Sequence, residues 1–207
     1  KKVNIENYFM KILVATTNSG KIREFKEILS KKNIQVLTLN DININIDVDE
    51  TGNTFRQNAL IKANEYYKLA KIPTISEDSG LEVLKLDGEP GIYSARYGGD
   101  LLNDNQRVDL ILEKLLKVPS NKRQARFISV ICGVGFSDEP IYSEGILEGF
   151  ISKKKEGNSG FGYDPIFLPN NSNKTTASMA KEEKNKISHR RKSIDKFLKI
   201  LIRDKII

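Results

Sequence analysis

Small polar residues and a lysine follow a short apolar segment near the start of the chain. Residues 12–15 are apolar, and Thr16-Thr17-Asn18-Ser19-Gly20-Lys21 comes directly after them. A strand-to-helix junction of this kind offers backbone N–H groups and the positive end of a helix dipole to an anion. Lys21 adds a full positive charge at the same place. The junction therefore predicts a phosphate site.

The junction differs from the common nucleotide-binding loop. It does not fit G-x-x-x-x-G-K-[ST], because Gly20 has no partner glycine five residues earlier and Ile22 follows Lys21. This argues against a P-loop ATPase or GTPase. The alternative to a phosphate site is an ordinary helix start that is capped by Asn18 or Ser19.

Two acidic segments could hold a divalent cation. Asp47, Asp49 and Glu50 lie in the first, and Glu77 and Asp78 lie in the second, in a turn expected after an apolar strand. Mg²⁺ takes one or two protein carboxylates and completes its shell with water and substrate phosphates, so one acid from each segment would suffice. Asp78 could also accept a proton from a metal-polarised water. The alternative is that these are solvated turn acids.

Two further segments suit a planar base. Phe161 lies between two glycines, where a flat ligand could stack on its ring, and Asp164 could accept a hydrogen bond from a ring N–H. His189, the only histidine, stands beside Arg190 at an expected helix start. Donors there suit the carbonyl oxygen of a 6-keto purine, whereas adenine would present a donor to them. The alternative is a capped, positively charged helix start without a ligand.

The remaining chain supplies elements that could position these residues. Apolar spacing predicts helices over 22–29, 55–70, 108–116 and 188–202, and strands over 11–15, 36–39, 74–76, 81–86, 124–136 and 141–152. The last two strands are expected to form a hairpin. Strands alternate with helices early and pair with each other late, which predicts an α/β fold with a mixed sheet.

Size and charge limit the class of protein. The 207 residues suit one domain, expected over 11–207 after an N-terminal extension over 1–10. No run of 18 apolar residues is present, and the first ten residues lack the apolar core of a signal peptide, so we expect a cytoplasmic protein with no membrane partner. The net charge of +7 admits a basic nucleic-acid-binding protein without catalysis. Aromatic residues are not interleaved with the basic ones, which disfavours that alternative.

Together these segments resemble the inosine triphosphate pyrophosphatase family, whose members hydrolyse non-standard purine nucleoside triphosphates. The resemblance spans nearly the whole chain. It rests on T-x-N-x-x-K at Thr16, Asn18 and Lys21, and on the segments 49–52, 78–80, 90–97, 160–165 and 183–190.

The resemblance implies an elongated mixed sheet flanked by helices, with two lobes around a central substrate cleft, and a homodimer. It implies hydrolysis of ITP, dITP and XTP to the monophosphate and pyrophosphate with Mg²⁺, or with Mn²⁺. The implied metal ligands are Asp49 and Asp78, and Asp78 would also activate water. The implied substrate-binding residues are Thr16, Thr17, Asn18, Ser19, Gly20, Lys21, Lys62, Ser79, Phe161, Gly162, Tyr163, Asp164, Lys184, His189 and Arg190.

Two positions depart from the family pattern. Many relatives have Glu where this chain has Asp49, and a second Asp where it has Glu77. Asp49 is one methylene shorter than Glu, so Glu50 could take part of its role. A pyrimidine pyrophosphatase acting on dTTP or UTP is a second enzymatic alternative, although the segment Ser188-His189-Arg190 favours purines.

Overall fold

The described residues form one six-stranded mixed sheet with helices on both faces. The computed structural model describes residues 10–32 and 34–207, so the N-terminal extension lies outside the described residues except for Met10. The strands are β1 Met10–Val14, β2 Ile34–Thr38, β3 Thr74–Val83, β4 Gln124–Val134, β5 Ile141–Ile151 and β6 Phe167–Pro169. The helices are α1 Ser19–Leu29, α2 Phe55–Ala70, α3 Asp104–Lys114, α4 Lys181–Ile187 and α5 His189–Arg203. The predicted α/β class is confirmed.

The strand order is β2-β1-β3-β4-β5-β6. β1 pairs in parallel with β2 and with β3. The connections that contain α1 and α2 return the chain to the same end of the sheet before each next strand begins. The other pairs are antiparallel, and β4 with β5 forms the predicted hairpin. The phosphate junction begins where β1 ends, beside the centre of the sheet, which is where open α/β sheets bind ligands.

β3 corrects the largest error of the sequence-based prediction. Two strands separated by an acidic turn were expected over 74–86, but β3 runs unbroken through the acids and pairs with β4 from Thr74 to Val83. Glu77 and Asp78 are 2% and 5% exposed, so the alternative of solvated turn acids is wrong for the second acidic segment. The two carboxylates can be buried in a strand because helices on both faces of the sheet supply polar partners for them.

Two short elements were not predicted. α4 has seven residues, no buried side chain and no side-chain N-cap, so its sequence lacks the helical spacing of apolar residues from which a helix is predicted. β6 has only three residues and pairs with the end of β5. Short elements of this kind are formed by their tertiary contacts more than by local propensity.

Apolar clusters fix the helices against the sheet. One cluster joins α1 and α5 to β1 on one face, and its largest fully buried side chains include Ile12, Phe25, Leu29 and Phe197. A second joins α2 to β4 through Ala59, Ala63, Ile128 and Val130. A third joins α3 to β3 and β4 through Val108, Ile111, Leu81 and Phe127. Within the described ranges, no helix is long and apolar enough to cross a membrane.

Candidate active site

A cavity of about 330 Å³ opens between the end of β1, the middle of β3 and the helices on either side. Its volume lies in the range usual for small-molecule sites. Most of the residues predicted from the sequence line it, namely Thr16, Thr17, Asn18, Lys21, Lys62, Ser79, Phe161, Gly162, Tyr163, Asp164, Lys184, His189 and Arg190. The fold thus brings together residues from the two ends of the chain.

Two predicted phosphate residues do not line the cavity. Ser19 is exposed at the first position of α1. Gly20 is buried under Phe161, and a Cβ atom on Gly20 would lie 2.8 Å from the Phe161 ring. Glycine at position 20 therefore permits the ring to approach α1, which is a packing role.

Asn18 caps α1 at the phosphate end of the cavity. Its Oδ1 accepts from the backbone N–H of Gly20 at 2.9 Å and of Lys21 at 3.1 Å. The ordinary cap that was weighed as an alternative is therefore present, and it uses two of the amide groups that were expected to meet a phosphate. An anion bound there would depend correspondingly more on the lysine side chains.

Lys62 on α2 joins the two acidic segments. Its Nζ lies 2.6 Å from Glu50 Oε1, 3.9 Å from Asp78 Oδ1 and 2.9 Å from the backbone oxygen of Glu77. Glu50 and Asp47 line the cavity, whereas Asp49 is exposed and does not. Of the first acidic segment, it is thus Glu50 that the structure brings toward Asp78.

Asp78 lies just behind the cavity wall. Its oxygens accept from Asn58 Nδ2 at 3.1 Å and from the backbone N–H of Ser79 at 3.0 Å. Burial raises the pKa of Asp78 and the nearby Glu50 adds to the increase, although Lys62 opposes both. Asp78 is therefore a stronger base than an ordinary aspartate.

The donor set suits a hard divalent cation. Two carboxylates, those of Glu50 and Asp78, lie within 4 Å of one ammonium group, the Nζ of Lys62. In the described part of the chain, no group of three or more His, Cys, Asp or Glu side chains could hold a metal. A site with two carboxylates agrees with a cation that completes its shell with water and phosphate oxygens.

Glu77 points to the opposite face of β3 from Asp78. Both its oxygens accept from Arg190 Nε at 2.9 Å, Ser129 Oγ donates at 2.6 Å, and Lys21 Nζ lies 3.5 Å away. Burial alone would raise the pKa of Glu77, but Arg190 and Lys21 outweigh it and hold that pKa well below its usual range. Glu77 is thus a permanent buried anion that fixes two cations.

Arg190 has a second acidic partner that the sequence analysis missed. Its Nη1 donates to Glu24 at 2.6 Å, and its Nη2 reaches Ser79 Oγ at 3.3 Å. Glu24 lines the cavity and lies three residues after Lys21 on α1. That spacing places both side chains on one helix face, so Glu24 could have been predicted from the sequence as a neighbour of Lys21 in the site.

The loop 160–164 forms another part of the cavity wall, and its Phe161 ring packs on Gly20 at the start of α1. Lys184 Nζ lies 5.3 Å from the centre of the Phe161 ring and donates to Asp164 at 2.6 Å. Asp164 also accepts from the backbone N–H of Phe161 at 2.9 Å and from Thr176 Oγ1 at 2.8 Å. Asp164 therefore holds both the loop and Lys184 in place.

His189 begins α5, and its ring stacks on Phe127 with 4.9 Å between ring centres. Burial lowers the pKa of His189 well below its ordinary value, and Arg190 lowers it further. The imidazole is therefore neutral, with one donor and one acceptor nitrogen. Its Nδ1 is buried and has no hydrogen-bond partner among the described residues. The stacking by Phe127 had not been predicted.

Comparisons with known proteins cover almost the whole chain. The Ham1 family model matches residues 12–200. A dITP/XTP pyrophosphatase of Oceanobacillus iheyensis is 43% identical over 192 residues, which are 92% of this chain and 98% of that protein. A dITP/XTP pyrophosphatase of Clostridium perfringens is 45% identical over 192 residues, covering 90% and 94%.

Solved structures with the same architecture include two Ham1 proteins. The Ham1 protein of Staphylococcus aureus superposes with a TM-score of 0.83 at 40% identity, over 94% of this chain and 99% of that chain. The Ham1 protein of Coxiella burnetii gives a TM-score of 0.86 at 34% identity, over 94% and 100%.

Proposed function

Because this chain belongs to the Ham1 family, we propose that it hydrolyses ITP, dITP and XTP to the nucleoside monophosphate and pyrophosphate. The resemblance inferred from the motifs is confirmed by this family membership. The observation that carries the proposal is one cavity lined by Lys21 and Lys62 and also by Phe161, Lys184 and His189. The two lysines would meet a triphosphate, and the other three side chains would meet a planar base.

The metal in this proposal is Mg²⁺, and Mn²⁺ fits the same oxygen ligands. Glu50 and Asp78 would hold the ion; Asp49, the ligand implied by the resemblance, is exposed and lies outside the cavity lining. When bound, the ion would offset phosphate charge and lower the pKa of a coordinated water. Lys62 would exchange its contact with Glu50 for one with the phosphates.

The protein side chains would then carry the reaction. Asp78 would accept a proton from the water that attacks the α-phosphorus. The bond between that phosphorus and the bridging oxygen breaks, and pyrophosphate leaves with the electron pair. Lys21 and Lys62 would stabilise the negative charge on the phosphates, which is the main demand in phosphoryl transfer.

Base choice would depend on the fixed donors of the loop end. Lys184 and Arg190 are held by carboxylates, and neutral His189 offers a donor nitrogen, so a 6-keto purine finds partners. Adenine would place its amino group against these donors and leave them unpaired. A buried site of this kind can reject the wrong group by about 10³-fold or more.

The chain has two basic clusters, residues 153–155 and 181–192. Most of their charges are already paired within the described part of the fold, which supports an enzyme over a nucleic-acid-binding protein. Lys181 pairs with Glu27, Arg191 with Asp195 and Lys155 with Asp109 at 2.6 to 2.7 Å. We further propose that residues 11–207 act as one domain in a homodimer in the cytoplasm. Light scattering of the purified chain tests the dimer.

The test of the activity is a product analysis. The chain is incubated with Mg²⁺ and, separately, with ITP, XTP, dTTP and ATP, and the products are resolved by chromatography. We expect IMP or XMP together with pyrophosphate, and little change in ATP.

Other product patterns discriminate among the alternatives. A nucleoside diphosphate with inorganic phosphate would contradict attack at the α-phosphorus. Faster hydrolysis of dTTP would favour the pyrimidine alternative. No turnover, together with oligonucleotide binding that weakens steeply with salt, would favour the nucleic-acid-binding alternative.

A further inference from the structure

Three arginine side chains are buried in the described part of the chain, and they differ in how well they are paired. Arg107, Arg123 and Arg190 are 7%, 3% and 2% exposed. Arg190 contacts two carboxylates at 2.6 to 2.9 Å. Arg123 donates to three backbone carbonyls at 2.6 to 2.9 Å. In Arg123 and Arg190, these hydrogen bonds therefore offset the free-energy cost of burying the charge.

Arg107, in contrast, has few and long contacts to acceptor groups. Its Nη2 reaches the carbonyl of Gly99 at 3.3 Å, and its Nη1 lies 3.7 Å from Asp104, a side chain that is 63% exposed. Its Nε is buried and has no hydrogen-bond partner among the described residues. A guanidinium keeps its charge in proteins, so this cation is buried without adequate compensation.

Arg107 also lines the nucleotide cavity, in the first turns of α3. Asp104, one turn earlier, accepts from the backbone N–H of Gly162 at 3.1 Å, which ties α3 to the loop 160–164. Within the described residues, Arg107 Nε and His189 Nδ1 are the buried side-chain atoms without a partner, and both belong to residues of this cavity. Unpaired buried polar atoms at a cavity indicate groups that a ligand completes.

We propose that Arg107 is a specificity-determining residue that favours xanthine over hypoxanthine nucleotides. The inference rests on the proposed function for the identity of the substrates. Xanthine carries a second carbonyl at C2 and loses a ring proton far more readily than hypoxanthine does. An incompletely paired guanidinium at the base end of the cavity stabilises this electron-rich edge and has no comparable partner on hypoxanthine. A hydrogen bond to a charged group of this kind corresponds to about tenfold in affinity or more.

The experiment compares Arg107→Met, which removes the charge, with Arg107→Lys, which keeps it. For each variant, kcat/KM is measured for XTP and for ITP at neutral pH with Mg²⁺. The affinities for XMP and IMP are measured by calorimetry without metal. We expect Arg107→Met to lower the XTP:ITP ratio of kcat/KM and the XMP:IMP affinity ratio about tenfold. Arg107→Lys should retain most of both ratios.

Arg126→Met is the matched control, because Arg126 pairs with Glu82 on the sheet and does not line the cavity. It should leave both ratios unchanged. If Arg107→Met lowers the values for xanthine and hypoxanthine nucleotides equally, Arg107 has only a structural role and the inference is wrong. Unchanged ratios in Arg107→Met would contradict it as well.

Two further measurements keep the inference testable. Arg107→Gln replaces Arg107→Met if the latter does not fold, as judged by thermal melting. In the wild-type chain, XMP must bind at least as tightly as IMP, and clearly tighter binding of IMP would overturn the inference. A wild-type chain that binds XMP and IMP but hydrolyses neither triphosphate refutes the proposed activity, while the affinity ratios still decide the role of Arg107.

Discussion

Glu77 and Asp78 are neighbours on β3, yet the two faces of the strand give them opposite properties. On the α5 face, Glu77 is surrounded by Arg190, Lys21 and Ser129, and its pKa is held low. On the α2 face, the pKa of Asp78 is raised, because burial outweighs the contact with Lys62. The negative charge of Glu77 is thus compensated by neighbouring cations, whereas that of Asp78 is compensated only in part.

The difference separates a structural acid from a reactive one. A compensated carboxylate stabilises the fold but has little tendency to bind a proton. An undercompensated one binds a proton or a cation more readily, at some cost in stability. We therefore expect substitutions at position 78 to act mainly on activity and substitutions at position 77 to act mainly on stability.

Asp78→Asn should abolish most activity without unfolding the protein. We expect kcat for ITP to fall by about 10³-fold, because the substitution removes both a metal ligand and the proposed base. The free energy of unfolding in urea should be unchanged or slightly higher, since a poorly compensated charge is lost. Glu82→Gln on the same strand is the control and should keep near-normal activity. Near-normal turnover in Asp78→Asn would remove its proposed role.

Glu77→Gln should act mainly on stability. Its loss leaves Lys21 and Arg190 with less compensation in a buried site, and we expect the free energy of unfolding to fall by about 3 kcal/mol. Glu82→Gln breaks a partly exposed pair with Arg126 and should cost less than about 1 kcal/mol. Urea denaturation of both variants measures the contrast. Equal losses would show that the α5 face is not specially compensated.

Glu50→Gln and Asp49→Asn test which acid joins Asp78 at the metal. Glu50 contacts Lys62 in the cavity, whereas Asp49 is exposed. We expect Glu50→Gln to raise the Mg²⁺ concentration for half-maximal activity at least about tenfold, and Asp49→Asn to change it little. Mn²⁺ binding without nucleotide, followed by electron paramagnetic resonance, provides a readout independent of turnover. The reverse order would restore Asp49 as the ligand.

His189 should make the fold sensitive to mild acid. Its pKa is lowered in the folded state, so the unfolded chain binds a proton first as the pH falls below about 6.5. Stability should therefore be lost below that pH, by up to about 1.4 kcal/mol per pH unit until the folded-state pKa is reached. His189→Phe should reduce this slope when unfolding is measured at several pH values.

The chain contains one histidine, so its imidazole NMR signals can be assigned without ambiguity. We expect these signals to show no titration between pH 8 and pH 5.5. A midpoint near 6.5 would mean that the ring is not buried as described and would remove the acid sensitivity assigned to it.

The comparison of the two acids also shows where sequence reasoning failed. The adjacent carboxylates at 77 and 78 looked like a turn, because acids and Ser-Gly pairs are common in turns. Their burial in β3 depends on Arg190, which lies 113 residues from Glu77, and on α2. Tertiary contacts likewise determine that Asp49 is exposed while Glu50 lines the cavity, and that Arg107 is weakly paired.

Periodicity, helix caps and motif spacing are local properties of the chain, and they are sufficient to predict most helices and strands, the hairpin, the family and most of the cavity residues. Which buried charges are compensated and which remain available to a ligand depends instead on tertiary contacts. The physical reason is that the pKa and pairing of a buried group depend on partners brought close by folding, and these partners are distant in sequence.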